Sequence, residues 1–354
     1  MKKEIQIGTH IISNENPTYI IAEMSGNHNS DYHRAIKIID AAKEAGADAI
    51  KLQTYTPDTI TLDCDSEMFK TGGLWEGMTL HQLYQTAYTP WEWQGKLIKY
   101  ANEIGLDCFS SPFDPTSVDF LEEIKVPAYK IASFEIVDIP LIRKIARLGK
   151  PMLISTGIAH LEDIDLAVRT CLEEGNDQII LLKCVSSYPA PYEDMNIRGI
   201  PLIAETFDCI SGLSDHTLGS EVSVASIALG AKVIEKHFTL RRADGGPDAA
   251  FSMEPEEFRR MTDQIRNVEK ALGRKTFDLT EKQEKERIGG RSLFVAEDIK
   301  QGEIFTEKNI RSVRPGHGLH TKFYDQILGC SASVDLKKGT PLEWKYIVDH
   351  RLDS

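Results

Sequence analysis

The sequence predicts an α/β protein: a closed (β/α)8 barrel, the TIM-barrel architecture, followed by a smaller second domain. Short apolar runs rich in β-formers alternate eight times with amphipathic helical patterns up to Leu272, and each run is followed by polar residues. An internal repeat beyond residue 290 predicts the second domain. An open doubly wound sheet is the competing architecture, but no G-x-G-x-x-G follows the first strand.

Hydrophobic periodicity places the elements of the barrel in order. The predicted strands are Tyr19–Ala22, Ala49–Gln53, Cys108–Ser110, Ala128–Ile131, Met152–Ser155, Ile179–Lys183, Ile210–Leu213 and Val233–Glu235. The predicted helices are Tyr32–Ala45, Trp91–Ile104, Thr116–Glu123, Leu141–Leu148, Leu161–Glu174, Arg198–Ala204, Glu221–Leu229 and Pro255–Leu272. Several helix ends are supported by a following glycine, because a left-handed residue commonly ends a helix.

Polar side chains stand at the end of every predicted strand, where such barrels assemble their active sites. In order they are Glu23, Lys51, Gln53, Ser110, Ser111, Lys130, Ser133, Ser155, Thr156, Ser186, Ser187, Ser214, His216, Glu235 and His237. Serine and threonine are also ordinary loop and cap residues, which explains many of the hydroxyls. The two lysines are different, because a buried ammonium is costly unless an anion pairs with it.

Two histidines end neighbouring strands of the predicted barrel, His216 in GLSDHT and His237 in IEKHFT. Side chains alternate along a strand, so both imidazoles can converge at the carboxyl-terminal mouth. Two neutral imidazoles with nearby oxygen ligands suit a divalent metal ion that polarises a carbonyl. The alternative is that both are structural histidines, hydrogen-bonded at strand ends.

These residue types together indicate a chemistry. Lysines and strand-end hydroxyls suit a phosphate and a carboxylate. Glu23, in AEMSGNHN, supplies a carboxylate for proton transfer or for steering water. The combination predicts condensation of a phosphorylated, carboxylate-bearing small molecule with a carbonyl compound.

One connection, from about Thr54 to Pro90, is far longer than the others and rich in apolar and aromatic residues, with GGLWEG at Gly72–Gly77. A long connection in a compact domain is usually functional, often a lid over the site. Contact with a partner subunit is the alternative.

The segment 274–290 is charged and indicates a linker. After it, Asp298–Ile310 matches Asp335–Ile347, which predicts a small domain with pseudo-twofold symmetry. Between the copies, Arg314 precedes Pro-Gly in a turn that would present a cation. As the alternative, Arg314 is an ordinary surface arginine.

The amino-acid composition indicates which binding partners and which cellular compartment to expect. Lysine and arginine total 41 against 54 acidic residues, a net charge of −13, which argues against general nucleic-acid binding. The six cysteines are scattered, which predicts a reduced, intracellular protein. Because the sequence shows neither a signal peptide nor an apolar run of membrane-spanning length, we expect a cytoplasmic protein without membrane association.

Eight ordered segments resemble those of the sialic acid synthase family: IIAEMSGNHN, GADAIKLQTYTPD, FSSPFD, YKIAS, ISTG, GLSDHT, IEKHFT and PDAAFSM. The resemblance covers nearly the whole chain. It implies a synthase barrel over 1–273, a linker over 274–290, and an antifreeze-like domain over 291–354. That domain is similar to type III antifreeze protein, a SAF domain of β-clip fold.

Within the family, GGLWEGMTLHQLYQTAYTPWEW and SVRPGHGLHTKFYDQILG most resemble the branch that makes pseudaminic acid. The resemblance implies condensation of phosphoenolpyruvate with 2,4-diacetamido-2,4,6-trideoxy-L-altrose and water, giving pseudaminic acid and phosphate. A sibling activity that makes N-acetylneuraminate or legionaminate from another N-acylated hexose is the alternative. A glycan-binding protein with an inactive barrel is a second alternative, against which the retained Glu23, Lys51, Lys130, His216 and His237 argue.

The resemblance also implies residue roles. His216 and His237 would hold Mn²⁺ or Mg²⁺, and Glu23, Lys51, Lys130 and His237 would form the catalytic set. The expected phosphoenolpyruvate ligands are Lys51, Ser111, Lys130, Ser133, Ser155 and Ser214. The remaining substrate-binding residues are Ser110, Ser186, Glu235, Gln53, Tyr188 and Asp248, the last three meeting the sugar.

A domain-swapped homodimer is implied as well, in which Arg314 would reach a partner's barrel and contact an N-acyl group of the sugar. Ser186 stands where the sialic-acid branch usually has Asn, and GGLW replaces that branch's sequence in the long connection. Both departures count against N-acetylmannosamine as the substrate.

Overall fold

The computed structural model describes residues 1–348 and separates the chain into two compact units, Met1–Gly273 and Arg274–Ser354. The boundary lies where the βα alternation of the sequence ends. The predicted domain 291–354 ends in residues 349–354, which lie outside the described range. Within that range no helix is both long enough and apolar enough to cross a membrane.

The first unit begins with a hairpin that the sequence analysis missed. Antiparallel strands β1 (Glu4–Ile7) and β2 (His10–Ser13) turn at Gly8, whose φ is +53°. A Cβ on Gly8 would lie 2.2 Å from a carboxylate oxygen of Asp107, so this close approach requires glycine. The Asp107 carboxylate accepts hydrogen bonds from the Thr9 amide in this turn and from the Tyr19 hydroxyl of the barrel, each at 3.0 Å. The hairpin is thereby fastened to the amino-terminal end of the barrel.

Eight parallel strands then close into a barrel, which confirms the predicted fold. They are β3 (Tyr19–Glu23), β4 (Ala49–Thr54), β5 (Asp107–Pro112), β6 (Tyr129–Ile131), β7 (Met152–Ser155), β8 (Ile179–Cys184), β9 (Ile210–Asp215) and β10 (Val233–His237). Strand β10 pairs with β3 from Val233↔Tyr19 to His237↔Glu23 and completes the ring. The strands are apolar on both faces because helices cover the outside and side chains fill the inside.

Helices surround the barrel. They are α1 (Tyr32–Glu44), α2 (Pro57–Ile60), α3 (Leu80–Ala87), α4 (Trp91–Glu103), α5 (Pro115–Glu123), α6 (Ile139–Ala146), α7 (Leu161–Glu173), α8 (Gly199–Phe207), α9 (Glu221–Ala228) and α10 (Pro255–Leu272). In α1 the buried residues are Ala35, Ile38, Ile39 and Ala42, one apolar stripe at helical spacing. The Asp31 carboxylate caps this helix by accepting from the amides of its first turn. The long connection 54–90 is partly helical, since it contains α2 and α3.

The second unit contains α11 (Glu281–Glu286), β11 (Ser292–Val295), β12 (Ile310–Val313), α12 (Tyr324–Ile327), β13 (Ser331–Ala332) and β14 (Ile347–Val348). The predicted linker is therefore helical over α11. Lys300 Nζ lies 2.8 Å from Asp335 Oδ2, and Lys337 Nζ lies 2.6 Å from Asp298 Oδ2. These reciprocal contacts join the two copies of the repeat as the predicted pseudo-twofold symmetry requires.

Candidate active site

Strand register brings the predicted site residues to one end of the barrel. Glu23 pairs in register with His237 on one side and with Lys51 on the other. Ser214 pairs with Glu235. Because side chains alternate along each strand, these five residues point inward together at the carboxyl-terminal mouth.

Two ammonium groups and two carboxylates form the buried floor of this site. Lys51 Nζ lies 2.5 Å from Glu23 Oε2 and 3.7 Å from Glu235 Oε1, and Lys130 Nζ lies 3.4 Å from that same Glu235 oxygen. None of the four side chains is more than 5% exposed. Lys51 also donates to Ser111 Oγ at 3.1 Å. The predicted buried lysines are therefore paired, and each has a carboxylate that an anionic ligand could replace.

Burial and neighbouring charges shift the pKa values of the two carboxyl groups in opposite directions. Burial, reinforced by the nearby Glu235 carboxylate and opposed by Lys51, raises the pKa of Glu23 to about 7. Burial also acts to raise the pKa of Glu235, but Lys130, Lys51 and His216 hold it below its ordinary value. Glu23 is thus able to exchange a proton near neutral pH while Glu235 stays ionised.

A chain of hydrogen bonds leads from Glu23 to Asp248, in the segment after β10. Gln53 Nε2 donates to Glu23 Oε1 at 2.9 Å and to Ser25 Oγ at 3.0 Å. The Ser25 hydroxyl in turn donates to Asp248 Oδ2, and the amide of Gly26 lies 3.4 Å from the same oxygen. Sequence reasoning missed Ser25, and nothing in the residue pattern marks it.

The two histidines are adjacent, with ring centroids 5.3 Å apart. His216 Nδ1 lies 2.8 Å from the carbonyl oxygen of Val185, which assigns a proton to Nδ1. Against the effect of burial, Cys184 and this carbonyl raise the pKa of His216, so a metal ion would have to displace the Nε2 proton to bind there. Burial, with further contributions from His216, Lys51 and Lys130, lowers the pKa of His237 far below its usual value, so this imidazole is neutral. Its buried Nδ1 has no hydrogen-bond partner in the described part of the chain.

This donor set fits a divalent ion. A neutral imidazole and a correctly oriented second one are typical metal ligands. Residues 1–348 contain no group of three or more His, Cys, Asp or Glu side chains arranged to hold a metal. The two imidazoles would therefore leave the other coordination positions to substrate oxygens or water.

Buried hydroxyl oxygens lie at or just after the carboxyl-terminal ends of β6, β7 and β8. Ser155 Oγ and Ser186 Oγ are buried and have no hydrogen-bond partner within residues 1–348, while Ser133 Oγ accepts from the amide of Gly157 at 3.1 Å. A Cβ on Gly157 would lie 2.3 Å from Ser186 Oγ and 2.7 Å from Ser133 Oγ. Unsatisfied buried hydroxyls in a tight cradle are expected where a polar ligand binds.

Ser110 is a correction. Its hydroxyl lies 2.6 Å from Thr54 Oγ1, which donates to Gln94 of α4 at 2.7 Å. Ser110 therefore faces the helix layer, whereas its neighbour Ser111 pairs with Gln53 and faces the interior. Two adjacent strand residues cannot share a face, so the prediction that both bind substrate is wrong for Ser110.

A cavity of about 650 Å³ lies above the floor. The predicted site residues that line this cavity are Gln53, Ser133, Ser186, Tyr188, His237 and Asp248. Its other lining residues include Ser25, Tyr55, Trp75, Leu80, Leu83, Tyr84 and Glu135. Trp75 Nε1 donates to the carbonyl oxygen of Pro247 at 2.9 Å, which ties the long connection to the segment after β10. This geometry favours the lid interpretation of the long connection.

Two further residues of the site were not predicted. Burial raises the pKa of Glu135 to about 7, and none of the described residues forms a hydrogen bond with its Oε2. Cys184 is buried next to His216, with Sγ 3.8 Å from Nδ1. Strand alternation from Leu182 would have placed Cys184 inward, but an isolated cysteine carries no chemical signal in a sequence.

The structure brings together most of the predicted set. The residues at the mouth are Glu23, Lys51, Gln53, Ser111, Lys130, Ser133, Ser155, Ser186, Tyr188, Ser214, His216, Glu235, His237 and Asp248. Arg314 belongs to the second unit and is exposed there. Its predicted role in a partner's site stays a prediction.

Comparison with known proteins extends over nearly the whole chain. The NeuB family matches residues 38–277, and a SAF domain matches residues 290–348. A pseudaminic acid synthase of Campylobacter jejuni is 47% identical over 96% of this chain and 98% of its own. One of Helicobacter pylori is 46% identical over 92% and 96%. The crystal structure of an N-acetylneuraminic acid synthetase from Leptospira borgpetersenii, in complex with citrate, has a TM-score of 0.72 and 32% identity, covering 81% of this chain and 95% of that one.

Proposed function

Because the chain belongs to the NeuB family, we propose that it condenses phosphoenolpyruvate with 2,4-diacetamido-2,4,6-trideoxy-L-altrose and water to give pseudaminic acid and phosphate. One observation carries the proposal: a buried, paired Lys–Glu floor lies beside two adjacent imidazoles, beneath a cavity of about 650 Å³. The identity of 46–47% to pseudaminic acid synthases over nearly the full chain supports this sugar.

Phosphoenolpyruvate would bind at the floor. Its phosphate and carboxylate would bind Lys51 and Lys130 more strongly than Glu23 and Glu235 do. Charge-assisted hydrogen bonds to such groups are short and strong. The hydroxyls of Ser155 and Ser186, for which the described residues 1–348 supply no partner, can donate to phosphate oxygens. Ser111 and Ser214, already bonded to Lys51 and Glu235, complete the polar lining.

His216 and His237 would hold Mn²⁺ or Mg²⁺, whose contribution when bound is to polarise the open-chain sugar aldehyde as a Lewis acid. The two imidazoles are suited to this because His216 is oriented by Val185 and His237 is neutral. Glu235, held ionised between Lys51 and Lys130, would orient the reacting groups.

Glu23 would act on the water. Attack of the enol carbon on the aldehyde leaves C2 of phosphoenolpyruvate electron-poor, and water must add there before phosphate leaves with C–O cleavage. A carboxyl group with a pKa of about 7 can accept the proton of that water at neutral pH. Lys51, 2.5 Å away, stabilises the carboxylate form in which Glu23 acts.

The sugar would occupy the cavity above. Gln53, Tyr188 and Asp248 offer an amide, a hydroxyl and a carboxylate to its polar groups. Trp75 and Leu83 add apolar surface to the cavity lining, which suits the methyl groups of a 6-deoxy, N-acetylated sugar. In a domain-swapped homodimer, Arg314 of the second unit would contact an N-acyl group. We place the reaction in the cytoplasm, where the six cysteines would stay reduced.

The test is phosphate release from phosphoenolpyruvate with Mn²⁺ and a panel of sugars. We expect the altro diacetamido sugar to be used best and the release to stop when a chelator is added. A preference for N-acetylmannosamine or for the legionaminate precursor would support the sibling activities instead. No sugar-dependent release with any member would contradict the synthase and favour the glycan-binding alternative.

A further inference from the structure

Ser25 has an unusual backbone. It follows Glu23 by two residues and has a φ of +44°, in the left-handed region that residues with a Cβ rarely adopt. Its side chain is buried, with 5% relative exposure, and it borders the cavity. Such a conformation persists where surrounding interactions over-determine it, and it is common at functional sites.

The hydroxyl of Ser25 joins two groups that arrive from distant parts of the chain. It accepts from Gln53 Nε2 of β4 at 3.0 Å and donates to Asp248 Oδ2 after β10. The Gly26 amide lies 3.4 Å from that Oδ2, and within residues 1–348 no hydrogen bond reaches Asp248 Oδ1. One carboxylate oxygen is therefore held by the protein, and the other is left for a ligand in the cavity.

We propose that Ser25 is a positioning residue that fixes Asp248 and Gln53 in the geometry that binds the sugar. The inference rests on the proposed function, because it assigns the cavity to the sugar. Without the hydroxyl, Asp248 retains a single long contact with the Gly26 amide, and Gln53 retains its bond to Glu23. Loss of Ser25 should weaken sugar binding and spare phosphoenolpyruvate, whose lysine ligands Ser25 does not touch.

Two substitutions separate the hydroxyl from the backbone. Ser25→Ala removes the hydroxyl and keeps the left-handed strain, whereas Ser25→Gly removes both. Ser30 provides the matched control, because it is also left-handed, with a φ of +55°, but its side chain is exposed. The measurement is steady-state phosphate release, with KM for the sugar and for phosphoenolpyruvate determined separately.

Both Ser25 variants should raise KM for the sugar about tenfold or more, as expected for a lost hydrogen bond to a charged group, and change KM for phosphoenolpyruvate by less than about twofold. The corresponding Ser30 variants should change neither. An unchanged sugar KM in the glycine variant, which folds without the strain, would overturn the inference even if the alanine variant is unstable. If the unaltered protein turns over no sugar, the proposed function fails and this inference fails with it.

Discussion

Replacing Glu23 with glutamine tests the proposed chemistry most directly. Glutamine preserves the shape of the side chain and its Oε1 can still accept from Gln53, now at 2.9 Å. It cannot accept a proton, and it removes the carboxylate that lies 2.5 Å from Lys51. Loss of a general acid or base costs about two to four orders of magnitude in rate, which corresponds to roughly 3–5 kcal/mol of barrier. Because Glu235 remains 3.7 Å from Lys51, that ammonium keeps one carboxylate partner and phosphoenolpyruvate binding should survive.

The pH dependence of the same variant gives a second readout. Burial raises the pKa of Glu23 to about 7, above the ordinary value of 4.5, so between these values the folded protein binds more protons than the unfolded chain. The contribution of Glu23 to stability is therefore present at low pH and is lost as the pH rises through about 7. The Glu23→Gln variant lacks this titration. Its stability relative to the unaltered protein should improve between pH 5 and pH 8.

The assay combines phosphate release across pH 5–9, phosphoenolpyruvate affinity by calorimetry, and urea unfolding at pH 5 and pH 8. The unaltered protein should gain activity as the pH rises through about 7, and the variant should lack this limb. Turnover within about threefold of the unaltered rate would refute the role of Glu23 in water addition, since a removed base costs far more. An equally large loss of phosphoenolpyruvate affinity would mean that Glu23 acts in binding.

Three further predictions concern the metal, the long connection and the second domain. His216→Ala or His237→Ala should lower Mn²⁺ affinity by about a hundredfold or more, measured by calorimetry on the protein without substrates. Trp75→Ala should raise KM for the sugar about tenfold, because it removes apolar cavity wall, whereas Trp75→Phe keeps the ring and should have a smaller effect. Truncation before Arg291 should leave a folded barrel by circular dichroism with little turnover, because Arg314 is lost.

The histidine and Trp75 predictions each have a control within the chain. His33, exposed on α1, should be replaceable by alanine without a change in Mn²⁺ affinity; an equal loss there would point to nonspecific binding. The variant Trp344→Ala is the control for the loss of an indole, because Trp344 packs on Phe323 in the second unit. Unaltered Mn²⁺ binding without both His216 and His237 would contradict the metal site. Full activity of the truncated chain would contradict a role for Arg314.

The local sequence pattern was sufficient to predict the barrel and to place many of the candidate site residues. Hydrophobic runs buried on both faces mark parallel strands, and the residue at a strand's carboxyl end necessarily reaches the mouth of a closed barrel. Lys51, Lys130, His216 and His237 could thus be placed by counting along each strand. The hairpin β1–β2 was missed because its strands are four residues long and no helix follows them.

Register and ring closure decided what the sequence left open. Ser110 and Ser111 are equivalent in the sequence, and only the pairing of Ser111 with Gln53 determines which hydroxyl faces the interior. Ser25 and Asp248 are 223 residues apart in the sequence but form a hydrogen bond. This contact depends on the pairing of β10 with β3. The pKa of Glu23 depends likewise on Lys51 and Glu235, brought beside it from other strands. Residue type and strand alternation are local properties, so the sequence alone determines them. Burial, charge pairing and the sharing of one hydroxyl between distant segments arise only when the barrel closes.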